Sequence, residues 1–217
     1  MICRRWGNVC CFNISREIKK AFMYNIILVF FSLLVISTST YAQELPQFNV
    51  RAVRLRATDS RDENRMRQAL QIFEKVMNDT AFQRKLLDTT FVFDLPDDPM
   101  RTLSPKQICD TLFSGKEWYD TDTDHTADIF WECTKRRIRP PFTSTIGYGN
   151  PNDSTINTYI FFVRNRKMQD IVGNLAHEWS HKIGFDHRPD NHPERERTVP
   201  YLFGNLVEKF AKKIYSW

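Results

Sequence analysis

Residues 167–187 read KMQDIVGNLAHEWSHKIGFDH. Met168, Ile171, Val172, Leu175 and Trp179 recur at helical spacing and form an apolar stripe. Asp170, Asn174, His177 and His181 form a polar stripe on the opposite side. The spacing therefore predicts a helix from about Lys167 to Ile183, with one face in the core and the other lining a cleft. His177 and His181 are four residues apart, so they stand one turn apart on the same face and can reach one ion. Gly184 suits the end of this helix, because glycine takes a left-handed turn at little cost. Such a turn folds His187 back toward the pair, where a continuing helix would carry it away.

Three imidazoles make a good zinc site and leave a fourth position for water. Zinc brings the pKa of that water toward neutrality. Glu178, beside His177, can accept the water proton and pass it to a leaving group. The expected site is thus His177, His181 and His187 as ligands of Zn2+, with Glu178 as general base. A purely structural zinc, closed by His192 or Asp186 as a fourth ligand, is the competing reading.

Working outward, Phe48 to Arg56 (FNVRAVRLR) alternates apolar and basic residues, the pattern of a half-exposed strand. Residues 62–78 carry helical spacing through Met66, Leu70, Ile72, Phe73 and Val76, and Ala81 to Leu87 predicts a second, short helix. Ser104-Pro105-Lys106-Gln107 has an N-cap serine, a first-turn proline and a capping-box glutamine, so a helix should run from there to about Phe113. Ala127 to Thr134 predicts a strand. Asn157 to Val163 predicts a more buried one, placed to edge the cleft, where a substrate peptide could add by main-chain hydrogen bonds. Leu206 to Trp217 predicts an amphipathic C-terminal helix. Strands and helices in mixed order give an α+β fold, a single domain over 43–217 with a mixed sheet.

The first 42 residues have a different character. Basic residues precede the apolar run Ile26 to Ile36, and Ser37 to Ala42 follows, ending in a small residue. That is the layout of a signal peptide cleaved after Ala42, with Met23 an alternative start. Export, to the periplasm or outside the cell, is expected; the alternative is a membrane tether through an uncleaved signal anchor. The net charge of +5 belongs to this leader: residues 43–217 hold 26 basic and 25 acidic side chains. The mature part therefore gives no electrostatic case for nucleic-acid binding. It is expected to act as a monomer on a protein or peptide substrate, with no stable membrane insertion after cleavage. Cys109 and Cys133 remain in it and, in an exported protein, can either pair or stay as buried thiols.

His177-Glu-x-x-His-x-x-Gly-x-x-His187 resembles the extended zinc motif of metzincin metalloendopeptidases, over 11 residues. The resemblance implies a zincin-like α+β domain with an active-site helix, a C-terminal helix and zinc in a cleft. It also implies cleavage of peptide bonds by the residues already named. One feature departs from that family, which carries a methionine-containing turn beyond the third histidine. The last methionine here is Met168, upstream, and Thr198-Val-Pro-Tyr201 stands in the turn's place. Val199 or Pro200 would then supply the apolar floor. Tyr201 would either lean toward the zinc as a catalytic residue that stabilises the oxyanion or pack in the core. A zinc hydrolase acting on a non-protein amide, such as cell-wall material, is the alternative activity.

Other motifs carry less. Asp120-Thr-Asp-Thr-Asp124 begins like a calcium loop, but His125 replaces its glycine and Trp131 its bidentate glutamate, so it reads as a solvated acidic turn. His125 reads as structural. Asn78-Asp-Thr80 and Asn152-Asp-Ser154 match glycosylation acceptors.

Overall fold

The computed structural model describes residues 45–92, 103–120, 122–135, 147–149, 153–187 and 192–215. The expected signal peptide and the Asn152 acceptor lie outside them. Glu44–Trp217 forms one compact unit.

The architecture is mixed α+β, built on a four-stranded sheet. Strands β1 (Asn49–Arg56), β2 (Thr126–Thr134), β3 (Gly147–Gly149) and β4 (Thr155–Tyr159) lie in the order β1-β2-β4-β3. β1, β2 and β4 run parallel, and the short β3 closes one edge antiparallel to β4. Ala127, Ile129, Trp131 and Ile156 point into the core and are buried. The alternation of β1 breaks at Ala52-Val53, and the strand absorbs the break as a bulge there. The bulge sets Arg51, Arg54 and Arg56 opposite Asp128, Phe130 and Glu132 on the far face. Arg51 forms a two-pronged ion pair with Asp128, Arg54 stacks over Phe130, and Arg56 pairs with Glu132 at 3.6 Å.

Among the described residues six helices pack with the sheet: α1 (Ser60–Met77), α2 (Thr80–Leu87), α3 (Pro105–Ser114), α4 (Ile160–Asn165), α5 (Met168–Lys182) and α6 (Val199–Tyr215). A 3-10 turn, Arg195–Arg197, leads into α6. The predicted capping box of α3 is present, with Ser104 N–H donating to Gln107 Oε1 at 2.8 Å. Asp59 and Asp79 cap α1 and α2 through their carboxylates, which accept the backbone N–H of Asp62 and Phe82.

Two predicted elements differ. The strand expected over 157–163 ends at Tyr159, and Ile160–Asn165 turns into α4. A run of apolar residues does not separate a buried strand from a buried helical turn. The deciding contacts come from α1. Arg65 bonds the carbonyls of Val163 and Arg166, and Arg164 pairs with Asp59 and Asp62. Phe162 and Val163 then face inward and Phe161 stands 68% exposed. β4 is also an interior strand, between β2 and β3, so the edge on that side of the sheet belongs to β3. The C-terminal helix starts at Val199, seven residues before the predicted Leu206, because Pro200 fits the first helical turn, where no N–H is needed.

Cys109 and Cys133 are not paired. Cys109 is buried on α3, and the Cys133 sulfur lies 3.4 Å from that of Met66; burial pushes both thiols up to about 12. Asn78 spends its side-chain amide on the backbone of Phe48 in both directions, so a glycan at Nδ2 would break the contact that closes α1 onto β1. His125 holds a left-handed backbone, with Nδ1 2.6 Å from the Phe113 carbonyl, a structural role.

The core centres on four aromatic rings from four segments. Trp179 on α5 meets Phe48 at 5.5 Å, Phe73 of α1 at 5.6 Å and Phe203 of α6 at 6.2 Å between centroids. Its indole N–H donates to Glu117 Oε1 at 2.9 Å, which also accepts the N–H of Asp128. Glu117 is 1% exposed, and burial pushes its carboxyl up to about 7. A folded pKa above the ordinary 4.5 means this group favours folding below pH 4.5 and loses that contribution as pH rises through about 7. Glu117→Gln keeps an acceptor and cannot ionise. It should match the wild type near pH 4.5 and be more stable by about 1–3 kcal/mol at pH 8. Urea unfolding at the two pH values tests this; an equal gap at both would remove Glu117 as the titrating group.

Candidate metal centre

The site is carried by α5, whose buried back face is set by Trp179, Leu175, Val172 and Ile171. Asp170, Asn174, His177 and His181 lie on its accessible side, as the stripe predicts. The helix ends in a Schellman motif: Phe185 N–H bonds the Ser180 carbonyl at 3.2 Å and Gly184 N–H bonds the His181 carbonyl at 3.1 Å. Gly184 has φ +102°, a conformation that side chains resist. The turn buries Phe185 and returns its carbonyl to His181 Nδ1 at 2.8 Å, which leaves Nε2 of that ring for a metal. It also brings His187 back across the helix end.

The three predicted ligands meet. Ring centroids are 5.1 Å apart for His177–His181, 5.5 Å for His177–His187 and 5.0 Å for His181–His187. One ligand atom from each lies within 4.8 Å of the others, close enough for a single ion. Burial, with the neighbouring imidazoles, pushes His177 down to about 3 and His181 down to about 4. Both rings are therefore neutral at pH 7, the state in which nitrogen lone pairs bind metal. The donor set fits a borderline divalent ion such as zinc. No fourth histidine, cysteine or carboxylate ligand joins the group among the described residues. Asp186 Oδ1 accepts the N–H of His187, and His192 Nδ1 accepts that of Glu194.

Glu178 is 8% exposed, and burial raises its carboxyl to about 7, against the opposing pull of Lys182 and a 3.4 Å hydrogen bond from Asn174. Lys182, one turn further on, is fully buried and donates to the Asp153 carbonyl at 2.6 Å. It ties α5 to the start of β4. Its own carbonyl accepts the N–H of Trp118. β3 packs alongside α5.

Tyr201, on the first turn of α6, lies against the ligands, 4.7 Å from the His177 ring and 5.2 Å from that of His187. Val199 is buried beneath that turn. The approach depends on two glycines not singled out in the sequence. A Cβ on Gly204 would lie 2.9 Å from the Gly173 carbonyl and 3.1 Å from the His177 Cβ; one on Gly173 would lie 2.8 Å from the Glu208 Cβ. Gly173 carries one local signal, its occurrence inside a helical pattern where glycine is otherwise unfavourable, whereas Gly204 lies before the predicted helix start at Leu206.

Comparison with protein-family models, curated proteins and solved structures gives no match. Among the described residues, no helix is long and apolar enough to cross a membrane.

Proposed function

We propose that this chain is an exported zinc-dependent endopeptidase of metzincin-like design. The observation that carries the reading is the meeting of three histidines from one helix and its terminal turn, with Glu178 next in sequence to the first of them. His177, His181 and His187 would hold the ion, which when bound supplies an acidified water and a Lewis acid for a carbonyl. Glu178, buried and poised near neutrality, takes a proton from the attacking water and delivers it to the departing amine. Asn174 fixes that carboxylate from one turn back along α5. Tyr201, packed on two of the ligands, is assigned to the developing oxyanion. The antiparallel edge of β3 offers main-chain groups to an extended substrate.

Incubating the zinc-loaded chain with a mixed peptide library tests the proposal; cleavage abolished by chelation is expected. No cleavage, with one tightly bound zinc, would overturn the peptidase reading and favour a non-protein amide. Chelation should leave the far-ultraviolet circular dichroism intact, because the aromatic core behind α5 does not use the ligand face. Unfolding on chelation would instead mark the zinc as structural.

A further inference from the structure

The shortest strand of the sheet has little of its own to hold it in place. β3 is three residues long and two of them are glycine, which weakens a strand because it brings no side chain to pack. It joins the sheet at an edge, through the antiparallel pairing of Gly147–Gly149 with Ile156–Thr158. The placement of β3 therefore follows that of β4, whose entry begins at Asp153, four residues beyond Gly149. That entry is clamped from two sides. The Asp153 carboxylate accepts the Thr155 N–H at 2.9 Å, and Arg54 of β1 donates to the Thr155 hydroxyl at 2.8 Å. From α5, the Lys182 ammonium donates to the Asp153 carbonyl at 2.6 Å. Lys182 is 1% exposed, and its own carbonyl accepts the Trp118 N–H at 2.9 Å, so the anchor is itself fixed.

Lysine is rarely buried this fully, because stripping water from an ammonium is costly unless hydrogen bonds meet the charge. An apolar side chain would pack α5 against the sheet without that cost. What lysine adds is a point attachment at the end of a long stem, aimed at one carbonyl. The attachment also starts from a telling place, directly after His181 and one helical turn beyond Glu178. β3 packs alongside this same helix. We propose that Lys182 is a positioning residue: it fixes the β3–β4 pair against α5 and so sets where the β3 edge presents its main-chain groups to an extended substrate. Main-chain addition to a strand edge needs that edge at a constant height relative to the reacting groups. The inference rests on the endopeptidase reading for its substrate, while the attachment itself does not require turnover.

The test compares the zinc-loaded full chain with Lys182→Met, an unbranched apolar side chain that fills much of the same space without the ammonium. Hydrogen exchange read by mass spectrometry should show protection over 155–159 falling by about tenfold or more, with 171–176 on α5 unchanged. The second readout is substrate length, using a peptide of about eight residues and a blocked one of about three that share the residues around the cut bond. The wild type should favour the longer by about tenfold or more in kcat/KM, and Lys182→Met should bring that ratio to within about threefold of one. Any effect of the lost charge on Glu178 or on zinc scales both peptides alike and cancels in the ratio. A wild type that cuts without a length preference, or a preference that survives Lys182→Met in protein with native circular dichroism, would overturn the proposal. Unchanged exchange over 155–159 would do the same. Lys182→Gln is the second variant; if neither folds, Lys182 belongs to the folding core and the positioning role is overturned. Lost protection in the variant with no peptide cut by the wild type would keep the attachment and sink the peptidase. Cleavage with an intact length ratio in Lys182→Met would do the reverse.

Discussion

Glu178→Ala is expected to keep one zinc per chain and to lower kcat/KM by about 10²–10⁴-fold, the usual contribution of a positioned general base. The reasoning starts from burial. Glu178 sits on α5 between the turns that carry His177 and His181, 8% exposed, with Asn174 donating to one carboxylate oxygen at 3.4 Å. Burial lifts its carboxyl to about 7, above the ordinary carboxylate value. Removing it leaves the three imidazoles in place, and that of His181 is oriented by the backbone carbonyl of Phe185. Zinc content by mass spectrometry and turnover on a library-derived peptide are therefore expected to separate. Zinc loss in step with activity would make Glu178 a ligand-shell residue; undiminished turnover would remove it from the mechanism. Glu178→Gln, nearly the same shape, controls for packing and should be as inactive as the alanine variant.

The triad was legible because its information is local. Two histidines four apart on a helix must share a face, and a glycine three residues after the second must turn the chain. Capping signals at Ser104 were local in the same sense. The strand misassigned over 157–163 was not: Ile160 to Val163 is apolar in either conformation, and the choice is made by Arg65, about a hundred residues away in sequence. Glu117 gives no hint of its burial either. Its partners Asp128 and Trp179 lie 11 and 62 residues along the chain. Of Thr198-Val-Pro-Tyr201, Tyr201 lies against two of the three imidazoles, but the helical form of the segment was hidden, since a proline at a helix start and a proline in a turn look alike in sequence. Arg195 could not be told from Arg197 by sequence at all, and only the fold sends one to Glu194 and the other to Tyr201.

Gly204→Ala should destabilise the protein by about 1–3 kcal/mol and weaken zinc binding at least tenfold, although alanine is the better helix former. In an exposed helix interior the exchange favours alanine by roughly 0.8–1 kcal/mol. Here the new Cβ would lie 2.9 Å from the Gly173 carbonyl and 3.1 Å from the His177 Cβ, and the first of these is backbone that cannot rotate away. Relief requires α5 and α6 to part, and overpacking of that kind typically costs 1–3 kcal/mol or more. The separation acts at the ligand itself, since the clash is with His177, and it withdraws Tyr201, one turn earlier on α6, from the rings it packs against. Asn205→Ala, at the exposed neighbouring position, reports the propensity gain without the clash and should be neutral or slightly stabilising. Chemical unfolding gives the first quantity and competition with a chromophoric chelator the second. If Gly204→Ala proved as stable and as zinc-tight as Asn205→Ala, the helix contact would not be what seats His177, and the floor of the site would have to be sought elsewhere on α6. A stability loss without a loss of zinc affinity would confine the contact to packing, with the triad held by the α5 turn alone.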